Sequence, residues 1–295
     1  MSDNLQASLL VTGASGQLGR QVVELLLEKG AQNVIATTRT PEKLADLAER
    51  GVTVRQASFD DLDSLIQAFE GAERVLIIST DATDVPGRRL QQHQNAVQAA
   101  DKAGVKHTLY TSLMEAFESP VTFAPDHFNT ERALQESSMG YTILRNNTYM
   151  DVLVPAIQQA YQLGGLYNAS GDGKTAYITR ADCGRAAAAA LIDSFDGQRT
   201  LDVTGPEAVT QADIAATASS ITGKPLSYVP VEVDAAIQSM VDAGLPRPVA
   251  ETFASFDVAT AQGKFANVTS VYKEFTGEEP TSLAQFLTAH KDELV

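Results

Sequence analysis

The stretch SLLVTGASGQLGR, residues 8–20, sets the expected architecture of this chain. Its apolar start is typical of a buried strand, and GRQVVELLLEKG, residues 19–30, predicts a helix directly afterwards. Gly13, Gly16 and Gly19 connect the two with the spacing G-x-x-G-x-x-G. Glycines permit a tight turn and close backbone approach, and a helix N-terminus offers free N–H groups to an anion. The stretch therefore predicts a loop that binds a dinucleotide pyrophosphate; the alternative is a glycine turn that only packs helix against strand.

The rest of the first half alternates short apolar runs with amphipathic stretches of helical length. Continuous apolar strands separated by helices indicate a parallel sheet that is covered on both faces. The predicted fold class is therefore α/β, with a Rossmann-type doubly wound parallel sheet. The predicted strands are SLLVTG, NVIATTR, VTVRQASF, RVLIIS, KHTLYTS and YTILR.

The second half has a different pattern, which predicts a smaller C-terminal α/β lobe. A Gly-rich loop, GGLYNASGDGKTAYITR, precedes the Ala-rich helix ADCGRAAAAALIDS and the strand RTLDVTG. Thr210, with Asp213 three residues later, predicts a capped helix start. We expect an NADP-binding domain at residues 1–150 and a substrate-binding lobe at residues 151–295. The boundary is approximate, because later segments can cross back to complete the sheet.

The amino-acid composition argues against some classes of binding partner. The 295 residues include 22 basic and 37 acidic side chains, for a formal net charge of −15. This balance argues against nucleic acid and against an anionic membrane surface, since both require clustered Lys and Arg. The single cysteine, Cys183, excludes an intrachain disulfide and a Cys-based metal cluster. No stretch reaches the roughly 18 apolar residues of a membrane span, so we expect a cytoplasmic protein with no metal site.

The end of the second predicted strand indicates which dinucleotide is preferred. NAD sites usually place Asp or Glu there, about 20 residues after the glycines, to bind the ribose 2′-hydroxyl. This chain has Arg39 there instead, in ATTRTPEK, and Lys43 follows one helical turn later. A guanidinium suits a 2′-phosphate through paired donors. We therefore predict NADPH (NADP) as the cofactor; the alternative is that both cations are solvated surface charges.

The glycine spacing resembles that of the atypical and extended short-chain dehydrogenase/reductases. Members with carbonyl or sugar chemistry usually carry Tyr-x-x-x-Lys on the helix after the fifth strand, where the Lys lowers the Tyr pKa. His127 and Glu131 hold those two places here, in DHFNTER, residues 126–132. None of the eight tyrosines has Lys four residues later. The absence weakens an assignment as sugar epimerase, dehydratase or simple alcohol dehydrogenase.

Several further stretches make the resemblance more specific: ATTRTPEKL, GVTVRQASFDD, HQNAVQAADKAGVKHTLYTS, DHFNTERAL, YTILRNNTY, ASGDGKTAYITRAD and AGLPRP. Together with the glycine loop, they resemble the NmrA-like branch of that superfamily. Within it, the chain is most similar to the bacterial NADPH:quinone oxidoreductases and the triphenylmethane dye reductases, over nearly its whole length. The resemblance implies an oxidoreductase that transfers hydride from NADPH to a small electron-poor acceptor, such as a quinone, a dye or an enone.

The same resemblance implies which residues contact the ligands. The cofactor-binding set is Gly13, Ala14, Ser15, Gly16, Gln17 and Leu18 at the pyrophosphate, Arg39 and Lys43 at the 2′-phosphate, Phe59 near adenine, Ser79, Thr80, Tyr110, Thr111 and Ser112 at the ribose and nicotinamide, and Leu144 and Asn146 in the pocket wall. The substrate-binding set is Asn147, Tyr149 and Lys174. Quinone-reductase relatives tend to have Gly-Trp-Tyr where this chain has Asn147, Thr148 and Tyr149, which predicts a more polar pocket and leaves the preferred acceptor open.

Hydride transfer to such acceptors does not require a Tyr–Lys pair. A reduced quinone is a delocalised hydroquinone anion that solvent can protonate, and a cationic dye takes hydride on carbon. The enzyme then acts mainly by holding two planar rings in contact and excluding water. His127 and Tyr149 are the candidate catalytic residues, through a hydrogen bond to the acceptor and through ring stacking. The alternatives are a helix-surface pair of His127 with Glu131, and a core position for Tyr149.

Two other histidines and one other class of function complete the expectations. We expect His93 to be structural or to anchor a loop, and His107, at the start of a strand, to lie on the surface. NmrA-like proteins can also bind NADP(H) without turnover and act as redox sensors, a non-catalytic alternative that the missing Tyr–Lys pair fits equally well. The oligomeric state is open, with a homodimer as one candidate.

Overall fold

The computed structural model describes residues 4–295, and its helices and strands alternate as follows. The strands are Ser8–Val11 (β1), Asn33–Thr38 (β2), Thr53–Gln56 (β3), Arg74–Ile77 (β4), His107–Leu113 (β5), Gly140–Asn146 (β6), Leu166–Asn168 (β7), Lys174–Thr175 (β8), Gln198–Val203 (β9), Val209–Thr210 (β10) and Tyr228–Pro230 (β11). The α-helices are Gln17–Glu28 (α1), Ala45–Glu49 (α2), Leu62–Phe69 (α3), Arg88–Lys102 (α4), Ala124–Gln135 (α5), Leu153–Leu163 (α6), Arg180–Ile192 (α7), Gln211–Thr222 (α8), Val233–Asp242 (α9), Arg247–Ala261 (α10), Val271–Thr276 (α11) and Leu283–Ala289 (α12).

The chain forms two compact units. The first comprises the chain up to Leu113 together with Asp126–Arg145 and Cys183–Leu201. The second comprises Met114–Pro125, Asn146–Asp182 and Asp202–Val295. The assignment of a cofactor role to residues 1–150 and a substrate role to residues 151–295 stays a prediction.

The seven-stranded sheet has the order β3-β2-β1-β4-β5-β6-β9. Neighbours pair in parallel, and Leu10 of β1 lies opposite Ile35 of β2 on one side and Val75 of β4 on the other. The chain runs from β1 outward to β3, then returns to β4 and runs outward in the other direction. This reversal is the topological switch point at which open parallel sheets bind ligands, beside the carboxyl ends of the central strands. The predicted α/β class with a parallel, Rossmann-type sheet is confirmed.

The core of the first unit forms because the central strands are apolar on both faces. Leu10, Val75, Ile77 and Ile143 are fully buried and cluster with apolar side chains of α3 and α4. Burying each such side chain stabilises the fold by about 1.5–3 kcal/mol before the entropy of ordering is subtracted. The sheet is therefore a rigid platform for the loops at its carboxyl edge.

Two buried polar residues lie at the opposite, amino-terminal edge of this sheet. Arg74 is 5% exposed and donates to the carbonyls of Leu191, Phe195 and Ala190, at and beyond the end of α7. Burial lowers the pKa of Arg74 to about 10. The surface position expected for His107 is wrong. His107 is 1% exposed and its Nε2 lies 2.9 Å from the Thr142 hydroxyl, because the hydroxyl of the next strand supplies the hydrogen-bond partner that allows burial.

The second unit contains α6, α8 and α12 around their own core. Ile157, Ile214 and Leu287 are fully buried there. Two small sheets accompany these helices, β7 with β11 and β8 with β10. The predicted start of a helix at Thr210 is confirmed, since Thr210 and Asp213 form a reciprocal capping box at the first turn of α8. Within residues 4–295, no helix combines the length and apolarity that crossing a bilayer would need.

Candidate cofactor and acceptor site

The glycine loop connects β1 to α1 with geometry that only glycine permits at two positions. Gly13 has φ +59°, in the left-handed region that side chains disfavour. A Cβ atom on Gly19 would lie 2.5 Å from the Gly13 carbonyl oxygen, closer than any real contact. The loop also bonds to itself and to β2, through Gly16 N–H to the Gly13 carbonyl and Ala14 N–H to the Thr37 carbonyl. The backbone is therefore held close to the start of α1 with no side chain in the way.

The start of α1 suits an anion. Gly16 is its N-cap and, without a side chain, leaves the first-turn amides uncapped from that position. Gly13, Ser15, Gly16 and Gln17 are exposed, whereas Ala14 and Leu18 are buried and hold the loop on the core. The loop of residues 13–18, called the glycine cradle below, and the positive end of the helix fit the two phosphates of a dinucleotide.

The end of β2 touches this loop directly. The Thr38 hydroxyl donates to the Ser15 hydroxyl across 2.9 Å, so Arg39 follows immediately beside the cradle. Arg39 and Lys43 are both exposed. Asp60 is an acidic neighbour of Arg39. Its pKa is lowered to about 2 by hydrogen bonds from Arg88 and then Gln92, with a smaller contribution from the charge of Arg39.

Asp60 and its neighbour Phe59 are held by α4. Arg88 Nη2 and Nε lie 2.7 Å and 3.0 Å from the two Asp60 carboxylate oxygens. Asn95 donates to the Phe59 carbonyl across 2.9 Å, which fixes the half-buried Phe59 at the end of β3. Asp60 therefore has its own cationic partner in Arg88, while Arg39 and Lys43 are exposed near the end of β2.

The carboxyl ends of β4 and β5 bring together four more predicted residues. The Thr111 hydroxyl accepts from the Ser79 backbone N–H at 2.9 Å, and the two hydroxyls are 3.2 Å apart. The Thr80 backbone N–H donates to His93 Nε2 at 3.0 Å. The predicted role of His93 as a loop anchor is thereby confirmed. Ser79 and Thr80 are half-buried, while Thr111 and Ser112 are nearly buried.

His127 is 4% exposed inside the first unit, so the helix-surface alternative for it is wrong. Its Nδ1 lies 2.8 Å from the Tyr110 hydroxyl and its Nε2 lies 2.9 Å from Arg89 Nη2. Arg89 can only donate, so Nε2 must accept and the single ring proton is on Nδ1, directed at Tyr110. Burial, and then the charge of Arg89, lowers the pKa of His127 well below its usual value. The ring is therefore neutral with both nitrogens engaged.

Tyr110 itself is fully buried, in contact with His93 as well as His127. Burial raises the pKa of its phenol. Leu144 is likewise fully buried, in β6. The side chains of these two predicted cofactor residues therefore belong to the packed interior beneath the carboxyl edge.

Glu131, one turn after His127 on α5, is also buried, at 1% exposure. Its carboxylate accepts from the Ser112 hydroxyl at 2.6 Å and from Arg145 Nε and Nη2 at 2.9 Å and 2.6 Å. Sequence reasoning placed Glu131 only as a neighbour of His127 and did not include Arg145. The available signal was Arg145 itself, a cation at the end of an apolar strand, which requires a buried acidic partner.

The remaining predicted residues lie in the second unit. Asn146 donates to the Tyr149 hydroxyl at 3.3 Å, and the Arg180 guanidinium lies 5.3 Å from the centre of the Tyr149 ring. Asn147 donates to the Phe265 carbonyl and accepts from the Thr148 backbone N–H. Lys174 is exposed on β8, where it pairs with Thr210. The half-buried Tyr149 is therefore braced by a polar contact at its hydroxyl and a cation near its ring.

Comparisons with known proteins agree with this geometry. A family model described as NAD(P)H-binding matches residues 13–194. Quinone oxidoreductase 2 of Escherichia coli is 34% identical over 278 residues, covering 94% of this chain and 96% of the relative. The crystal structure of the NADPH-dependent quinone oxidoreductase of Escherichia coli with NADPH has a TM-score of 0.91, covering 95% of this chain and 99% of that one at 34% identity. The Citrobacter sp. triphenylmethane reductase with NADP(H) has a TM-score of 0.88 at 32% identity, covering 96% and 99%.

Proposed function

The chain belongs to the NAD(P)H-binding family, and on that premise we propose that it is an NADPH-dependent oxidoreductase that passes hydride to a quinone or a similar electron-poor acceptor. The observation that supports this most directly is the glycine cradle, where a Cβ on Gly19 would overlap the Gly13 carbonyl. Backbone that must be free of side chains at a helix N-terminus suits a dinucleotide pyrophosphate. The similar proteins, over nearly their whole length, are reductases of quinones and dyes.

Each end of the cofactor has its own proposed contacts. Residues 13–18 hold the pyrophosphate, and Arg39 with Lys43 holds the 2′-phosphate. Phe59 packs beside adenine. The ends of β4 and β5 position the ribose and nicotinamide. The contact between Thr38 and Ser15 supports this arrangement, because it keeps Arg39 next to the pyrophosphate loop.

When bound, NADPH supplies hydride from its nicotinamide C4, and the acceptor takes it on an electron-poor atom. The chain's own part is to orient the two rings and to exclude water. The states of His127 and Glu131 support an acceptor that needs no protein acid. The imidazole is neutral with both nitrogens engaged, and both carboxylate oxygens accept hydrogen bonds. A hydroquinone anion can take its proton from solvent.

The acceptor's own contacts are proposed for the second unit. Tyr149 offers an aromatic face, Asn147 a polar neighbour and Lys174 a positive charge that favours an electron-rich product. The contact of Arg180 with Tyr149 supports a fixed ring orientation. We propose a cytoplasmic location and a homodimer as subsidiary expectations.

The test is oxidation of NADPH, and separately NADH, followed by absorbance with and without a benzoquinone or a naphthoquinone. Saturable, quinone-dependent loss of NADPH is the expected result. Tight NADPH binding with no consumption across quinones, cationic dyes and enones would contradict the reductase and favour the non-catalytic sensor. Equal use of NADH would leave the reductase intact and remove the 2′-phosphate role of Arg39.

A further inference from the structure

The Ser112 hydroxyl at the end of β5 has a single proton, and the structure fixes where that proton points. Ser112 Oγ lies 2.6 Å from Glu131 Oε1. The Glu131 carboxylate is ion-paired with Arg145 across 2.6 Å, and an ionised carboxylate can only accept. Ser112 must therefore be the donor in this contact. Its oxygen is left with lone pairs and no second proton.

Arg145 makes this arrangement rigid. Its Nε and Nη2 donate in parallel to the two oxygens of Glu131, a forked contact that fixes the plane of the carboxylate. Glu131 is 1% exposed and Ser112 is 5% exposed, so water has little access to compete for the hydroxyl proton. The orientation of the hydroxyl is thus set by a buried ion pair.

We propose that Ser112 binds the nicotinamide half of the cofactor as a hydrogen-bond acceptor, for a carboxamide N–H or a ribose O–H, and that Glu131 and Arg145 are positioning residues that hold it in that state. The inference rests on the proposed function. A quinone carbonyl has no proton to give, so a serine locked as an acceptor does not bond to it. Ser112 therefore selects the cofactor and leaves the acceptor's oxygen to solvent.

The experiment measures binding of NADP⁺ by titration with no acceptor present, for the wild-type protein, Ser112→Ala, Glu131→Gln and the double variant. Ser112→Ala is expected to weaken binding about tenfold, the size of one hydrogen bond. Glu131→Gln is expected to weaken binding by less than Ser112→Ala does. The amide no longer fixes the direction of the serine proton, but the serine oxygen is still present to accept a hydrogen bond. In the Ser112→Ala background, Glu131→Gln should have no further effect on affinity.

A cofactor analogue distinguishes the two donors. In 3-acetylpyridine adenine dinucleotide phosphate, a methyl group replaces the carboxamide nitrogen. If the effect of Ser112→Ala disappears with this analogue, the donor is the carboxamide; if it persists, the donor is a ribose hydroxyl. Ser137→Ala is the matched control, since its hydroxyl donates only to the Leu134 carbonyl on the same unit.

Unchanged NADP⁺ affinity in Ser112→Ala would overturn the proposal. So would equal losses from Glu131→Gln in the presence and absence of the serine, since the carboxylate would then act independently of Ser112. Glu131→Gln breaks a buried ion pair, so unfolding temperatures are recorded. If that variant does not fold, the titrations of Ser112→Ala with NADP⁺ and with the acetylpyridine analogue still test whether Ser112 binds the nicotinamide half of the cofactor. Failure of the wild-type protein to bind NADP⁺ would instead contradict the proposed function.

Discussion

Gly19 has no room for a side chain, and this single position couples the fold to the ligand. A Cβ atom there would meet the Gly13 carbonyl oxygen at 2.5 Å and the Ala14 Cα at 2.9 Å, both of them backbone atoms that cannot rotate away. The clash would push the start of α1 away from the loop. The same displacement would open the cradle in which the pyrophosphate is proposed to lie.

For Gly19→Ala we expect a loss of about 1–3 kcal/mol in the free energy of unfolding, the usual cost of overpacking. Cofactor affinity should fall with it. Gly184→Ala is the control, because its Cβ would meet only the movable end of the Gln21 side chain. Urea unfolding and NADPH titration measure the two effects. An unchanged NADPH affinity of Gly19→Ala would contradict the proposal that the glycine cradle binds the pyrophosphate.

Arg39 is the residue on which cofactor choice is proposed to depend. We expect Arg39→Ala to weaken NADPH binding by about 10–100-fold, since hydrogen bonds to charged groups are worth about 1.5–3 kcal/mol. NADH binding should change little, because NADH lacks the 2′-phosphate. The exposed Arg50 provides the control, as Arg50→Ala changes net charge by the same amount on the same unit. Equal losses of affinity for NADPH and for NADH would show that Arg39 acts on the fold instead.

At the scale of the element, α7 depends on a residue far from it in sequence. Arg74 of β4 donates to three carbonyls at and beyond the end of this helix. Helix C-terminal carbonyls lack intrahelical partners and attract cations. One buried guanidinium therefore ties the Ala-rich helix to the sheet.

We expect Arg74→Met to lower the free energy of unfolding by roughly 2–4 kcal/mol, because the apolar stem is kept and the donors to buried carbonyls are lost. Arg132→Met is the control. Its ion pair with Glu136 is on the surface, at 56% and 68% exposure, and should contribute less than about 0.5 kcal/mol. Chemical denaturation compares the two; equal small losses would mean that α7 holds its end without Arg74.

Over the whole molecule, buried histidines make stability depend on pH. Burial, and then the charge of Arg89, lowers the pKa of His93 to about 3; burial, and then Arg74, does the same for His107. His127 is shifted in the same direction. The unfolded chain binds protons near the ordinary pKa of about 6.5, where the folded protein does not. The contribution of these neutral histidines to the free energy of unfolding is therefore fully present above about pH 7. It declines as pH falls from about 6.5 toward 3.

The decline should reach up to about 1.4 kcal/mol per pH unit for each buried histidine. Urea unfolding at pH 7.5, 6.5 and 5.5 measures it. His107→Gln removes one titrating group and should make the slope shallower in that window, whatever its effect at pH 7.5. An unchanged slope would mean that the pKa of His107 is the same in the folded and the unfolded chain.

The periodicity of the chain alone determined the parallel sheet and the glycine loop, because strand length, helix length and glycine spacing are local properties. The sequence also identified Arg39 as a candidate for the 2′-phosphate, since the residue that contacts this part of the ribose lies about 20 residues after the glycines, at the end of the second strand. Only tertiary structure decided the states of the polar residues. The surface position expected for His107 was wrong, and so was the helix-surface alternative for the His127–Glu131 pair. The partners of these residues, which come from other strands and helices, are Thr142, Tyr110, Arg89, Ser112 and Arg145. Burial of a polar side chain depends on donors and acceptors distant in sequence, and no local pattern contains them.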